Sequence, residues 1–243
     1  MGSRIRTSKG DLPKPLQSVN GVPMIKRTAL TLRAAGVKRI VVVVGFMGDM
    51  ITAAIRGDSA YKRAGLTIDI VDNPEYSLAN GVSVLAGARY VDAPFLLSMA
   101  DHIYDSSLAA KVARADMRKA DLYLCVDRRV SEVYDIDDAT KVRTVNGRIV
   151  DIGKTIPQYD CIDCGVFAVS KGLVRELERA RADKGDCSLS DGVQRLAERG
   201  RARVVDVGSA FWQDVDTAEA RLRAERELHL INERASRPLV ASL

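Results

Sequence analysis

Apolar runs and segments of helical period alternate along most of this chain. Val22 to Ala35 places Met24, Ile25, Ala29, Leu32 and Ala35 on one face, which predicts a helix closed by Gly36. Arg39 to Val44 is a continuous β-branched run, the pattern of a strand buried on both faces of a parallel sheet. A short helix over Asp49 to Arg56, a strand over Leu66 to Val71 and a helix over Val82 to Tyr90 follow. Phe95 to Met99 reads as a strand, Ser106 to Lys119 as a helix and Leu122 to Val126 as a strand. This rhythm predicts a doubly wound α/β sheet, whose ligands bind beyond the carboxyl ends of the strands.

The rhythm changes near Asp138. Thr140 to Val145 and Arg148 to Ile152 flank Asn146-Gly147, a pair suited to a type I′ turn, and predict a β-hairpin inserted as a lobe over the sheet edge. Cys164 to Val169 is strand-like, Lys171 to Arg181 and Leu189 to Arg199 are helical, and Ala202 to Val207 is a further strand. Thr217 is placed to cap a charged terminal helix reaching about Glu233. The chain shows no repeat and no linker, so residues 1–243 are expected to form one domain, with residues 137–165 as a small lobe and 217–235 as the terminal helix.

With 243 residues, 47% of them hydrophobic, the chain suffices for one sizeable core. The net charge of +5 is spread without a basic tract, and only 5% of residues are aromatic. Both features argue against nucleic acid as a partner and leave small anionic substrates. No apolar run spans a bilayer and no signal-peptide pattern opens the chain, so a cytoplasmic location without membrane insertion is expected. A homo-oligomer stays open. Cys161 and Cys164 have C-x-x-C spacing, but no second pair completes a zinc site, and buried thiols are expected.

The candidate chemistry lies at the segment ends. Lys14 stands between Pro13 and Pro15, so its side chain leaves a stiff base, as suits a charge that meets a phosphate at a fixed place. Asp101 ends an apolar strand, with His102 beside it as a local hydrogen-bond partner. Asp214 and Asp216 share a face if their segment is extended, so that one is able to ligate a metal while the other caps the next helix. Magnesium prefers oxygen ligands, one or two carboxylates plus substrate phosphates. Two distant aspartates facing a rigid lysine therefore describe a nucleotide-phosphate site; no Walker motif is present.

In order and spacing, Gly2-Ser3-Arg4, Pro13-Lys14-Pro15-Leu16, Val19 to Ile25, Asp101 and Trp212-Gln213-Asp214 resemble the nucleotidyltransferases that activate sugar and alcohol phosphates. Met99 to Tyr104, Ala139 to Val142, Ile152 to Lys154, Tyr159 to Asp163 and Trp212 to Thr217 are most similar to the CTP:inositol-1-phosphate cytidylyltransferases. Enzymes acting on phosphonates or phosphocholine share parts of the pattern. The resemblance implies a Rossmann-like, doubly wound mixed sheet and Mg2+-dependent cytidylyl transfer from CTP to a phosphorylated alcohol, with release of pyrophosphate. A sugar-1-phosphate enzyme using UTP, dTTP or GTP, and an inactive nucleotide-binding module, stay open as alternatives.

The resemblance also implies roles. Asp101 and Asp214 hold the metal. Lys14 meets the acceptor or α-phosphate, and Arg4 and Lys9 meet the β- and γ-phosphates. The backbone at Gly2 and Ser3 contacts the nucleotide, and Asn80, Gly81 and Ser83 face the base. Lys154, supported by Lys141, holds the acceptor phosphate, and Asp163 binds acceptor hydroxyls. The family's first strand and the L-x-A-G of its signature are missing ahead of Gly2. A reading frame begun too late is the favoured explanation, against a degraded relative. The product is suited to a membrane phosphotransferase, a domain fused behind this one in some relatives.

Overall fold

The chain is described by a computed structural model over residues 12 to 236, with side chains to residue 231. A single 3₁₀ turn, Lys14–Leu16, leads into a two-residue ladder of β1 (Ser18–Val19) and β2 (Val22–Pro23) and then α1 (Met24–Ala34). β3 (Arg39–Val44), α2 (Gly48–Gly57), α3 (Ala60–Arg63), β4 (Thr67–Asp72) and α4 (Asn80–Ala88) follow. Next come β5 (Phe95–Ser98), β6 (His102–Tyr104), α5 (Ser106–Ala113) and β7 (Leu122–Asp127). The hairpin is β8 (Lys141–Val145) and β9 (Arg148–Gly153), followed by β10 (Cys161–Val169). The chain continues through α6 (Lys171–Lys184), α7 (Leu189–Glu198), β11 (Ala202–Asp206), β12 (Trp212–Asp214) and α8 (Ala218–Ser236).

The main sheet has the order β5-β10-β7-β11-β9-β8. Among the described residues only β7 and β11 run parallel within it. A separate parallel pair joins β3 to β4, and β6 pairs antiparallel with β12. The fold is therefore mixed α/β. Strand β7 shows why helices cover both faces. Leu122, Leu124 and Val126 point into one cluster with Val82, Leu173 and Val193, while Tyr123 and Cys125 point into another with Leu108 and Val112. Period-two alternation with apolar residues on both sides forces cover on both sides.

The hairpin differs from the expected lobe. β8 also pairs with β10 and β9 touches β11, so five strands curl into a closed ring. Val142, Ile149 and Ile152 are buried in the main core, which holds the hairpin to the sheet. The turn at Asn146 and Gly147 has both residues at positive φ, as Asn-Gly predicts. The helix expected to reach Lys119 stops at Ala113, because the Asp116 carboxylate accepts from the Arg118 backbone N–H and turns the chain. The helix expected from Val22 starts at Met24, because Val22 and Pro23 are held in the ladder with β1.

Gly2, Ser3, Arg4 and Lys9, and any strand at that end of the chain, lie outside the described residues. Among the described residues β3 bonds only to β4, and β5 only to β10. Among the described residues each therefore has one edge without a ladder partner, and Ile40 of β3 and Leu96 of β5 pack against the same cluster.

At the start of α4, Gly81 lies against the loop before α7. A Cβ there would stand 2.5 Å from the Cys187 carbonyl oxygen and 2.9 Å from the Ser188 carbonyl carbon. Backbone cannot yield as a flexible side chain does. Gly81→Ala is expected to destabilise the protein by about 1–3 kcal/mol, read as a fall in the urea midpoint with an unchanged m-value.

Candidate active site

Backbone pairing builds the site. β6 and β12 run antiparallel with His102 opposite Asp214, and the Val215 N–H donates to the Asp101 carbonyl at 3.0 Å. This brings the end of β5 and the end of β12 together across more than a hundred residues of sequence. Lys14 enters from the Pro-flanked turn. Its Leu16 N–H donates to the Pro13 carbonyl at 2.8 Å, and Lys14 is only 9% exposed.

The Lys14 ammonium sits among three carboxylates. Nζ donates to Asp101 Oδ2 at 2.8 Å, pairs directly with Asp216 Oδ1, and lies 3.9 Å from Asp214 Oδ1. His102 Nδ1 is 2.9 Å from Asp101 Oδ1 and 3.9 Å from Asp214 Oδ1. Asp214 Oδ1 is buried and has no hydrogen-bond partner among the described residues. The Asp101 and Asp214 oxygens and the His102 ring nitrogen all lie within 4.8 Å of one another, close enough to share one cation. Thr217, not Asp216, caps α8, its Oγ1 accepting from the Ala220 N–H at 3.1 Å.

Proton affinities follow from this crowding. Burial pushes the Asp101 carboxyl up, but His102 and Lys14 outweigh it and hold Asp101 well below the usual carboxylate range. Burial would lower His102, but Asp214, Asp101 and Asp163 overcome it and raise the imidazole to about 9. Burial raises Asp163 to about 6 against the opposing hydrogen bond from the Gly165 N–H. Asp214 is also raised, by burial and by the Asp101 charge, against the pull of His102 and Lys14.

These groups line a cleft of about 780 Å3. Lys14, Asn80, Asp101, Lys154, Asp163 and Asp214 all face it. Three other residues expected at substrate do not. Lys141 is buried, and its Nζ donates to the carbonyls of Ile136, Asp137, Ala139 and Lys154 at 2.8, 3.4, 3.3 and 2.9 Å. It therefore anchors the loop before β8 and has no donor left for a phosphate. The close approach that Gly81 permits is to the chain's own backbone. Ser83 Oγ accepts from the Asn73 Nδ2 at 3.0 Å, which fixes the segment after β4. Lys154 Nζ reaches Asp138 at 2.8 Å and is more than half exposed.

Several contributors escaped the sequence reading. Asp127, at the end of β7, accepts the Trp212 Nε1–H at 2.7 Å, and Arg129 binds both of its carboxylate oxygens. The signal was available, since Asp127 ends an apolar strand just as Asp101 does. Gly165 packs against the His102 ring, which no spacing announces. All four cysteines are buried free thiols, and burial raises Cys125 and Cys161 to about 12, which disfavours the reactive thiolate.

A family profile described as "MobA-like NTP transferase domain" matches residues 1–201. The chain is 38% identical over 223 residues to the "Bifunctional IPC transferase and DIPP synthase" of Rubrobacter xylanophilus, covering 90% of this chain and 48% of that protein. The protein of the same description from Archaeoglobus fulgidus is 31% identical over 228 residues, covering 94% of this chain and 43% of its own. The chain thus spans about half the length of these curated relatives. The solved "inositol-1-phosphate CTP transferase from T. maritima" superposes with a TM-score of 0.78 at 29% identity, over 90% of this chain and 86% of that one. No helix among the described residues is long and apolar enough to cross a membrane.

Two outcomes follow from the geometry. Lys141→Met is expected to cost about 2–3 kcal/mol in urea unfolding, because a buried ammonium serving four carbonyls is lost, whereas Lys154→Met is expected to cost under about 0.5 kcal/mol. The folded His102 keeps its proton to about 9 while the unfolded imidazole loses it near 6.5. Its stabilisation is therefore fully present below 6.5 and is lost as pH rises through 9. Asp163, raised from 3.8 to about 6, acts in the same direction at lower pH. The unfolding midpoint of the metal-free protein is expected to fall between pH 6.5 and 9, and His102→Gln to flatten that fall.

Proposed function

The chain belongs to the family of MobA-like NTP transferase domains and is a nucleotidyltransferase, and from that premise we propose that it transfers a cytidylyl group from CTP to a phosphorylated alcohol, with inositol 1-phosphate, the substrate named for the solved T. maritima protein, as the acceptor. The products are a CDP-alcohol and pyrophosphate. The observation that carries this reading is the Lys14 ammonium among Asp101, Asp214 and Asp216 in the wall of one large cleft.

An acceptor phosphate oxygen attacks the α-phosphorus of the nucleotide in line. One P–O bond forms, the bond to the bridging oxygen breaks, and pyrophosphate leaves with that electron pair. Such transfers ask for positioning and charge neutralisation more than covalent help from the protein. Lys14, launched from a proline-stiffened turn, neutralises charge at the α-phosphate. Lys154, exposed at the cleft rim, attracts the acceptor phosphate. Asp163 offers a carboxyl to acceptor hydroxyls from the buried wall.

A divalent cation fits the residues present. Asp101 is held ionised by His102 and Lys14, and among the described residues the buried Asp214 Oδ1 lacks a hydrogen-bond partner, which a bound cation would supply. Asp101 and Asp214 would hold Mg2+, with Asp216 beside them. When bound, Mg2+ supplies Lewis-acid neutralisation of the phosphate oxygens and a template for them.

Purified protein is to be offered CTP, UTP, dTTP or GTP with inositol 1-phosphate or a sugar 1-phosphate, with pyrophosphate release as the readout. Turnover with CTP and inositol 1-phosphate alone is expected. Asp101→Ala and Asp214→Ala are each expected to lower kcat/KM about 10³-fold with the fold retained by circular dichroism. Preference for another nucleotide would replace the cytidylyl assignment. Nucleotide binding by calorimetry with no turnover on any pair would make the chain a binding module.

A further inference from the structure

We propose that Asp127 is a positioning residue of this site, acting through Trp212 and His102 on the carboxylates Asp101 and Asp214. The inference rests on the reading of Asp101 and Asp214 as the working acids.

Asp127 is almost fully buried, yet it carries a charge. Its Oδ1 accepts from the Arg129 backbone N–H at 2.8 Å and from Arg129 Nε at 3.0 Å. Its Oδ2 accepts from Arg129 Nη2 at 2.8 Å and from Trp212 Nε1 at 2.7 Å. Four donors on one carboxylate leave it little freedom. The same Arg129 Nη2 also donates to the Ala210 carbonyl at 3.1 Å. The end of β7 thus grips the approach to β12 at two points, Ala210 and Trp212.

The grip reaches the site in two ways. Along the backbone, β12 is only three residues long, and its last residue is Asp214. Three residues of ladder with β6 fix such a strand weakly, so an anchor at its first residue sets where its last one points. Through the rings, the Trp212 indole stacks on the His102 imidazole, with centroids 6.1 Å apart and planes 15° from parallel. Gly165 also packs against the ring, where a Cβ would lie 2.6 Å from His102 Cδ2. With the ring held between these contacts, Nδ1 has one orientation, toward Asp101 at 2.9 Å with Asp214 at 3.9 Å. Burying the Asp127 carboxylate costs desolvation that an apolar side chain of the same shape would avoid, while the Arg129 guanidinium that pairs with it stays partly exposed. Direction of the indole N–H accounts for its use here.

Trp212→Phe keeps the ring stack and removes the N–H. Asp127→Asn keeps an acceptor and removes the charge that holds Arg129. The chain has two histidines, His102 and the exposed His229, so histidine-labelled protein gives two ring signals and its own control. In nucleotide-free protein at one pH, both variants are expected to shift the His102 ring signal and leave His229 in place. With substrates, kcat is expected to fall about 10–100-fold while KM for CTP changes less than about twofold. The double variant is expected to be no worse than the weaker single one, because both act along one path.

Unchanged His102 signals, unchanged kcat, or multiplicative losses in the double variant would overturn the proposal. An Asp101→Asn arm separates the two readings. If Asp101→Asn is inactive while Trp212→Phe matches the parent, positioning fails and the site reading stands. If Asp101→Asn is fully active, the site reading itself has failed.

Discussion

Everything in this site depends on one cation placed where carboxylates would otherwise repel one another. Two unit charges about 4 Å apart interact by about 4 kcal/mol at an effective dielectric of 20. Asp101, Asp214 and Asp216 all lie within that range of Lys14 Nζ. Without a positive charge among them, the buried members would have to take up protons or move apart. Lys14 meets that requirement from a turn that Pro13 and Pro15 hold rigid, and His102 adds a second positive charge from the other side. The β6–β12 ladder, the bond from Val215 to Asp101 and the cap at Thr217 all keep acids near that charge.

The partner that such a cluster prefers follows from its imbalance. Among the described residues, four acids, Asp101, Asp163, Asp214 and Asp216, face the two cations Lys14 and His102. A wall with that excess repels a bare triphosphate and accepts one whose charge is already offset. Asp214 marks where the offset is incomplete, since its buried Oδ1 has no donor among the described residues although Lys14 and His102 each stand 3.9 Å away. On the proposed reading a divalent cation completes it, and Lys14 then serves the phosphate instead of the acids.

Much of this was legible in the chain, and the reasons are physical. Long elements announce themselves because apolar period and burial coincide, as in Arg39–Val44 and Leu189–Glu198. Lys14, Asp101 and Asp214 were legible as candidates because one stands between prolines and two stand near segment ends, and the structure brings the three side chains together. The three-residue strands β6 and β12 were not, since three residues carry no period. Lys141 misled for a different reason. A lysine at the start of a hairpin reads as exposed, and only the path of residues 136–139 around it turns it into a buried anchor. The hairpin itself was found, but its closure onto β10 and β11 is a long-range pairing that local spacing does not encode.

The division of labour between these elements explains why the residues that anchor the cleft walls were harder to read than those that face the cleft. A strand such as β7 is buried on both faces and cannot present a side chain to a ligand except at its end. Chemistry is therefore pushed onto short segments beyond the strand ends, where backbone hydrogen bonds are few and side chains must take over the work of fixing position. Asp127 and Lys141 are both products of that constraint. Each is a buried charge whose hydrogen bonds are spent on the protein's own loops, Asp127 on Ala210 to Trp212 through Arg129 and Lys141 on Ile136 to Ala139. Between them they hold two walls of the cleft, so that the residues facing substrate need not also hold the protein together.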